Sequence, residues 1–307
     1  MYNKTASPPA QSESLKYQPA PNDPKKDDDD PTPRPLSRPL GLPNPPQPGD
    51  NVGQDGRTLR QKRDDFVNYE KHLERRQKMT KQISRPYFKD FSDMRFSKGK
   101  TFIAPERILK GEHALYFPNL RGKTLAGPKE DTTAILLGKV SVVSVLSSGW
   151  AENQVRTFCS KEENPQLHSI LETETETAQL VEINHEPNFL KYWILRLFSY
   201  RLKSQKPSTQ WPNYFIVRRG FFEPIRESLA IVNQRVGYVY LLDPQCRVRW
   251  AGSAVADASE KASLVKGLRR LLQEAKSSQE ARIQPPAEAE GGPRNPDPLD
   301  VKPSPAA

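Results

Sequence analysis

The chain holds only two cysteines, Cys159 and Cys246, among its 307 residues. Two thiols this far apart make neither a disulfide framework nor a cysteine-based zinc site. Its four histidines, His72, His113, His168 and His185, never take the HExxH spacing. Phosphate-cradling GxxxxGK[ST], dinucleotide-binding GxGxxG and the nucleophile elbow GxSxG are absent as well, so no cofactor is expected. No run of 18 apolar residues occurs, and no single helix is expected to span a bilayer. Apolar residues are scarce, at 35%, against roughly 45–50% (Gly included) in an average globular domain. Proline shows where the deficit lies. Of 30 prolines, 13 fall in residues 1–60 and 7 in residues 281–307. Both ends are therefore expected to be disordered, flanking a folded α/β body.

What is present in excess is positive charge, and it is concentrated. The net charge is +10, and residues 57–110, with 16 basic and 7 acidic side chains, carry +9 of it. Thr58 to Gln82 contains neither Pro nor Gly, and Phe66, Tyr69 and Leu73 fall at helical spacing. This predicts a basic helical arm over 57–110, its cations led by Arg63, Lys71, Arg75, Arg76, Lys78 and Lys81. Such a block suits an anionic membrane or partner surface; a solvated helical face is the plainer alternative. The arm divides a Pro-rich tail, 1–56, from a body, 111–277, and a second tail follows over 278–307. The first arginine, Arg34, comes only after the acidic run Asp27–Asp30. That is poor material for a mitochondrial presequence, so a mitochondrial location would put the true start upstream of Met1.

The body reads strand–helix–strand–helix, hairpin, closing helix. Gly138-Lys-Val-Ser-Val-Val-Ser-Val-Leu-Ser147 is a β-branched apolar run, as in a strand buried on both faces. A helix follows to about Cys159, then a strand at Gln179–Asn184. Val236–Asp243 and Arg247–Gly252 form a hairpin. Asp257 with Glu260 three residues on is a capping box, opening a helix whose apolar face is Leu264, Val265, Leu268, Leu271, Leu272 and Ala275. This order is that of a thioredoxin-like domain.

Thioredoxin-like enzymes place a reactive Cys where the first buried strand meets its helix, because the helix N-terminus stabilises the thiolate. Here that place reads Ser147-Ser148-Gly149-Trp150, and the segment where a redoxin holds its cis-proline reads Arg235-Val236-Gly237-Tyr238. Thiol chemistry is not expected.

The unusual element is 188–204, read as one apolar helix. Leu190, Trp193, Ile194, Leu197 and Phe198 make its main stripe. A domain helix needs one apolar stripe about 100° wide, so this stripe is expected to face the core. Tyr192 and Leu195 widen the apolar surface and are expected to remain outside, beside Arg196 and Arg201, as a partner-binding face; an interfacial helix, or a core helix with its long cations snorkelling outward, are the alternatives.

Several longer segments are familiar. They are Arg63-Asp-Asp-Phe-Val-Asn-Tyr-Glu-Lys-His-Leu-Glu-Arg-Arg76, Arg85-Pro-Tyr-Phe-Lys-Asp-Phe91, Lys98-Gly-Lys-Thr-Phe-Ile-Ala-Pro105 and Ala114-Leu-Tyr-Phe-Pro-Asn-Leu-Arg-Gly122. Together they closely resemble the fungal mitochondrial family of assembly factors for the Fo part of ATP synthase. The similarity runs over about residues 53–275. The resemblance implies a chaperone-like, non-catalytic role at the matrix side of the inner membrane, attached peripherally. The implied client is the newly made subunit a (subunit 6), which is helped to join the c ring. An anionic inner-membrane lipid surface is the second expected partner, and no nucleic acid is expected. Two rivals stand beside this reading: a mitochondrial RNA-binding or ribosome-associated basic protein, and a redoxin-type enzyme.

Overall fold

The computed structural model describes residues 33–51 and 99–283, and the side chains of the last helix as far as Ser278. Both stretches fall in one unit, Pro33–Ala307. The strands are β1 (Arg34–Pro35), β2 (Phe102–Ile103), β3 (Arg121–Thr124), β4 (Lys129–Asp131), β5 (Val140–Leu146), β6 (Ala178–His185), β7 (Tyr214–Val217), β8 (Tyr238–Leu242) and β9 (Val248–Ser253). The helices are α1 (Thr132–Leu136), α2 (Gly149–Cys159), α3 (Pro165–Thr173), α4 (Phe189–Leu197), α5 (Ser199–Gln205), α6 (Glu223–Ser228) and α7 (Ala258–Ile283).

Seven strands form one sheet in the order β4-β3-β7-β6-β5-β8-β9. β5 and β6 run parallel, with α2 and α3 between them, while β8 runs antiparallel to β5 and β9 antiparallel to β8. This quartet, closed by α7, is the thioredoxin-like arrangement that the element order predicts. β5 owes its central place to its two apolar faces. Val140 and Val142 join Phe158, Trp250, Leu264 and Leu268 in a cluster on one side. Val143 and Val145 join Phe117, Phe215, Tyr238 and Tyr240 on the other.

The helix termini follow their sequence signals. Ser148 caps α2, its hydroxyl accepting from the Ala151 N–H at 3.1 Å. At the start of α7 the Glu260 carboxylate returns to the Asp257 N–H at 3.0 Å, half of the expected capping box. The five leucine and valine positions predicted for its apolar face are all buried.

The body reaches further than 111–277. Residues 33–51, expected in the disordered tail 1–56, pack against it. Leu40 is buried in the core, and Leu42 exchanges backbone hydrogen bonds with Tyr116 at 2.8 and 2.9 Å. Gly41 makes this approach possible. Its φ is +123°, and a Cβ there would lie 2.5 Å from the Tyr116 carbonyl oxygen. Residues 99–110, expected to end the basic arm, are equally part of the fold. Phe102 enters the core, and Lys100 Nζ lies 2.7 Å from the buried carboxylate of Glu260. The Ala104 N–H donates to that carboxylate, and the Trp250 indole donates to the Pro105 carbonyl. At the other end α7 continues past 277 to Ile283. The remainder of the predicted arm, residues 57–98, lies outside the described residues.

Candidate partner-binding surface and basic cleft

Segment 188–204 is two helices. Asn188 caps α4, accepting from the Leu190 and Lys191 N–H groups at 2.9 and 3.3 Å, and α4 stops at Phe198, from which α5 restarts. The pair sits on β7 and its neighbour β3. Tyr192, Leu202 and Trp211 pack against buried Leu125, Tyr214 and Ile216. An ion pair between Lys206 and Glu182 ties the end of α5 to β6, and the Trp211 indole donates to the Lys206 carbonyl at 3.1 Å.

The expected orientation of α4 is inverted. Tyr192 and Leu195, expected outside, are half-buried. The stripe expected in the core faces out: Leu190 is 68% exposed, Leu197 69% and Trp193 48%, and Ile194 and Phe198 are exposed too. No residue of α4 or α5 is fully buried. The apolar surface is thus present where expected along the chain but on the opposite side of the helix. The sheet beneath offers only a small apolar patch, and Tyr192, with Leu202 from the next helix, fills it. The wider stripe is left over. An exposed apolar patch of this kind ordinarily marks a contact site.

Beside α4 lies a cleft of about 390 Å³, open to solvent. Arg121 and Lys123 enter from β3, Lys129 from β4, Arg218 and Arg219 from the end of β7, and Arg196 from α4. Among the described residues none that lines it is acidic. Partial desolvation, followed by the positive charges of Arg196, Lys203 and Lys129, holds the Lys123 ammonium below its ordinary value. Two of the guanidinium groups rest on aromatic rings, Arg196 over Trp193 at 5.1 Å and Arg218 over Phe189 at 5.0 Å.

Of the residues predicted from sequence, the structure brings Tyr192 and Arg196 together in this cleft. Leu195 lies outside its lining, and Arg201 is exposed on α5 away from it. Arg63, Lys71, Arg75, Arg76, Lys78 and Lys81 lie outside the described residues. Sequence reading missed Arg121, Lys123, Lys129, Arg218 and Arg219. The paired Arg218-Arg219 at a strand end is the one local signal of them; the rest converge only through sheet pairing.

The redox position holds hydroxyls. Ser147 donates to the Gln234 carbonyl, and Ser148 donates to that of Arg235 at 3.2 Å. The two serines thereby fasten the start of α2 to the loop before β8. Gly237 completes the junction, since a Cβ there would stand 2.5 Å from the Ala151 carbonyl oxygen. Cys159 lies buried at the far end of α2, where burial raises its pKa far above the ordinary range. Cys246, also buried, is pushed up to about 12, by burial first and then by Asp243. Neither thiol is poised as a nucleophile.

Fold and site together define a thioredoxin-like domain whose redox position carries no thiol and whose open surface is apolar and cationic. The family model described as ATP10 protein matches residues 18–271. The chain belongs to this family, the mitochondrial ATP synthase assembly factors that its sequence resembles. Among curated relatives, the mitochondrial ATPase complex subunit ATP10 of Eremothecium gossypii is 33% identical over 241 residues, covering 77% of this chain and 86% of that protein. The protein of the same name from Saccharomyces cerevisiae is 30% identical over 246 residues, with 77% and 86% covered. Among solved structures, a secreted thiol-disulfide isomerase from Corynebacterium glutamicum aligns with a TM-score of 0.37 at 12% identity, covering 57% of this chain and 99% of that one. BsSco, from the Sco family of cytochrome c oxidase assembly proteins, aligns with a TM-score of 0.33 at 9% identity, with 52% and 95% covered.

Proposed function

We propose that this protein is a chaperone-like assembly factor for the Fo sector of mitochondrial ATP synthase. It binds newly made subunit a and promotes its association with the c ring, working peripherally at the matrix face of the inner membrane. Family membership supports the process and the compartment. The observation that carries the binding role is the outward apolar stripe of α4, Leu190, Trp193, Ile194 and Leu197, which suits an unassembled hydrophobic segment. Helix-in-groove and helix-on-helix contacts use this i, i+3, i+4, i+7 pattern. Among the described residues no helix is long and apolar enough to cross a membrane, and the basic sequence of residues 57–98 supplies attraction to anionic lipid at about 1 kcal/mol per cation near the surface.

Such a factor needs no catalytic step. A protein that binds the unassembled subunit stabilises it by mass action, and releases it when the permanent interface outcompetes the temporary one. Photo-crosslinking tests the reading directly. A photoreactive residue at position 197, in mitochondria synthesising their own subunits, should trap subunit a. Trapping of other proteins without subunit a would refute the proposed client.

A further inference from the structure

The cleft beside α4 is a second feature, separate from the arm, and it shares its rim with the client stripe through Trp193. Six cations converge there from three strands and a helix, and among the described residues no carboxylate lines it. Among the described residues Arg121, Lys123, Lys129, Arg196, Arg218 and Arg219 make no ion pair within the protein. Some cations elsewhere are matched by carboxylates: Arg249 bridges Asp243 and Glu274, and Lys100 bridges Asp257 and Glu260. Holding like charges around one depression costs free energy, and at Lys123 the neighbouring cations add to desolvation, the larger cause, in lowering the pKa. That cost is recovered when an anion fills the cleft.

The rim says which anion. Phe189 and Trp193 line the same cleft, and Leu190 and Leu197 stand exposed on the same helix. An RNA would match the cations and leave the leucines unsatisfied; an acidic peptide would do the same. A phospholipid brings a phosphate and acyl chains in one molecule. Tryptophan, leucine and arginine side by side on a short helix are the composition of elements that lie in a membrane interface.

We infer that this cleft is a docking site for the phosphate group of an anionic phospholipid, with Lys123, Lys129 and Arg219 meeting the head group and α4 lying at the acyl boundary. The site would hold α4 at the depth where a membrane-embedded client emerges. It stands apart from the client reading, because vesicles contain no client.

Flotation of the full-length protein tests it, using phosphatidylcholine vesicles with and without one part in five of phosphatidylglycerol. The variant is Lys129→Glu with Arg219→Glu, both exposed positions. The control, Lys266→Glu with Arg269→Glu on α7, changes net charge equally at exposed positions elsewhere. At about 1 kcal/mol per surface cation, the cleft variant should lose at least about tenfold in affinity for the anionic vesicles, and the control clearly less. Equal losses in the two variants would overturn the site, leaving only diffuse attraction. So would undiminished binding by the cleft variant. Inorganic phosphate and an Asp-rich peptide are titrated in parallel. Tight binding of either, lost in the cleft variant while vesicle binding persists, would replace the lipid by that ligand. Matching circular dichroism and melting temperature exclude unfolding as the cause.

Discussion

His185 and Phe221 meet edge to face, their ring centroids 4.9 Å apart and their planes at 77°. His185 ends β6, one step before the segment that leads into α4, and it is buried. Burial, and behind it the positive charge of Arg226, lowers its pKa from 6.5 to about 4. The folded state thus holds a neutral imidazole that the unfolded chain would protonate.

The sign of the pH effect follows. Where the unfolded state binds more protons, stability rises with pH. The contribution of His185 is complete above about pH 6.5 and is lost as pH falls toward 4. Between pH 7.5 and 5 the loss amounts to about 2 kcal/mol for a shift of this size. Urea unfolding at the two pH values measures it. His185→Gln should lower stability at pH 7.5 and flatten the dependence. An unchanged slope in that variant would show that His185 does not titrate between these limits.

The thiols give a second expectation. With Cys159 and Cys246 both buried and both raised in pKa, Ellman's reagent should find essentially no reactive thiol in the folded protein at neutral pH, and two in denaturant. Rapid reaction of either thiol in the native state would contradict the placement and reopen redox chemistry.

Much of the fold is legible in the sequence wherever one period dominates. The continuous apolar run of β5 predicts a strand covered on both faces, and Leu264, Leu268, Leu271 and Leu272 repeat at helical spacing in α7. Ser147-Ser148 in place of a reactive Cys is legible too, because the position depends only on where β5 ends. The orientation of α4 is not. A helix with apolar residues on more than one side can seat either side on a sheet, so its inward side is chosen by the receiving surface: Leu125, Tyr214 and Ile216 admit Tyr192 and Leu202. Docking of residues 33–51 is equally hidden. That stretch is proline-rich, and its hold comes from contacts distant in sequence, with Leu40 in the core, Gly41 pressed against the Tyr116 backbone and Arg38 donating to the Glu227 carbonyl. The cleft has no linear signature, since pairing of β3 with β4 and β7 is what brings Lys123, Lys129 and Arg218 to one place.

The inverted helix supplies the most direct test of the central claim, that the outward stripe of α4 is the client surface. Leu190→Glu with Leu197→Glu alters two exposed positions, where substitutions ordinarily change stability by no more than about 0.5 kcal/mol. Tyr192→Glu with Leu202→Glu places charges against the sheet and should destabilise by at least about 1 kcal/mol. The deciding measurement is the amount of assembled Fo in mitochondria carrying each variant, read by native gel beside the level and melting temperature of the variant protein. The Leu190/Leu197 variant is expected at normal level and melting temperature with subunit a unassembled and degraded. Normal Fo assembly in that variant would contradict the claim, whatever the Tyr192/Leu202 variant does.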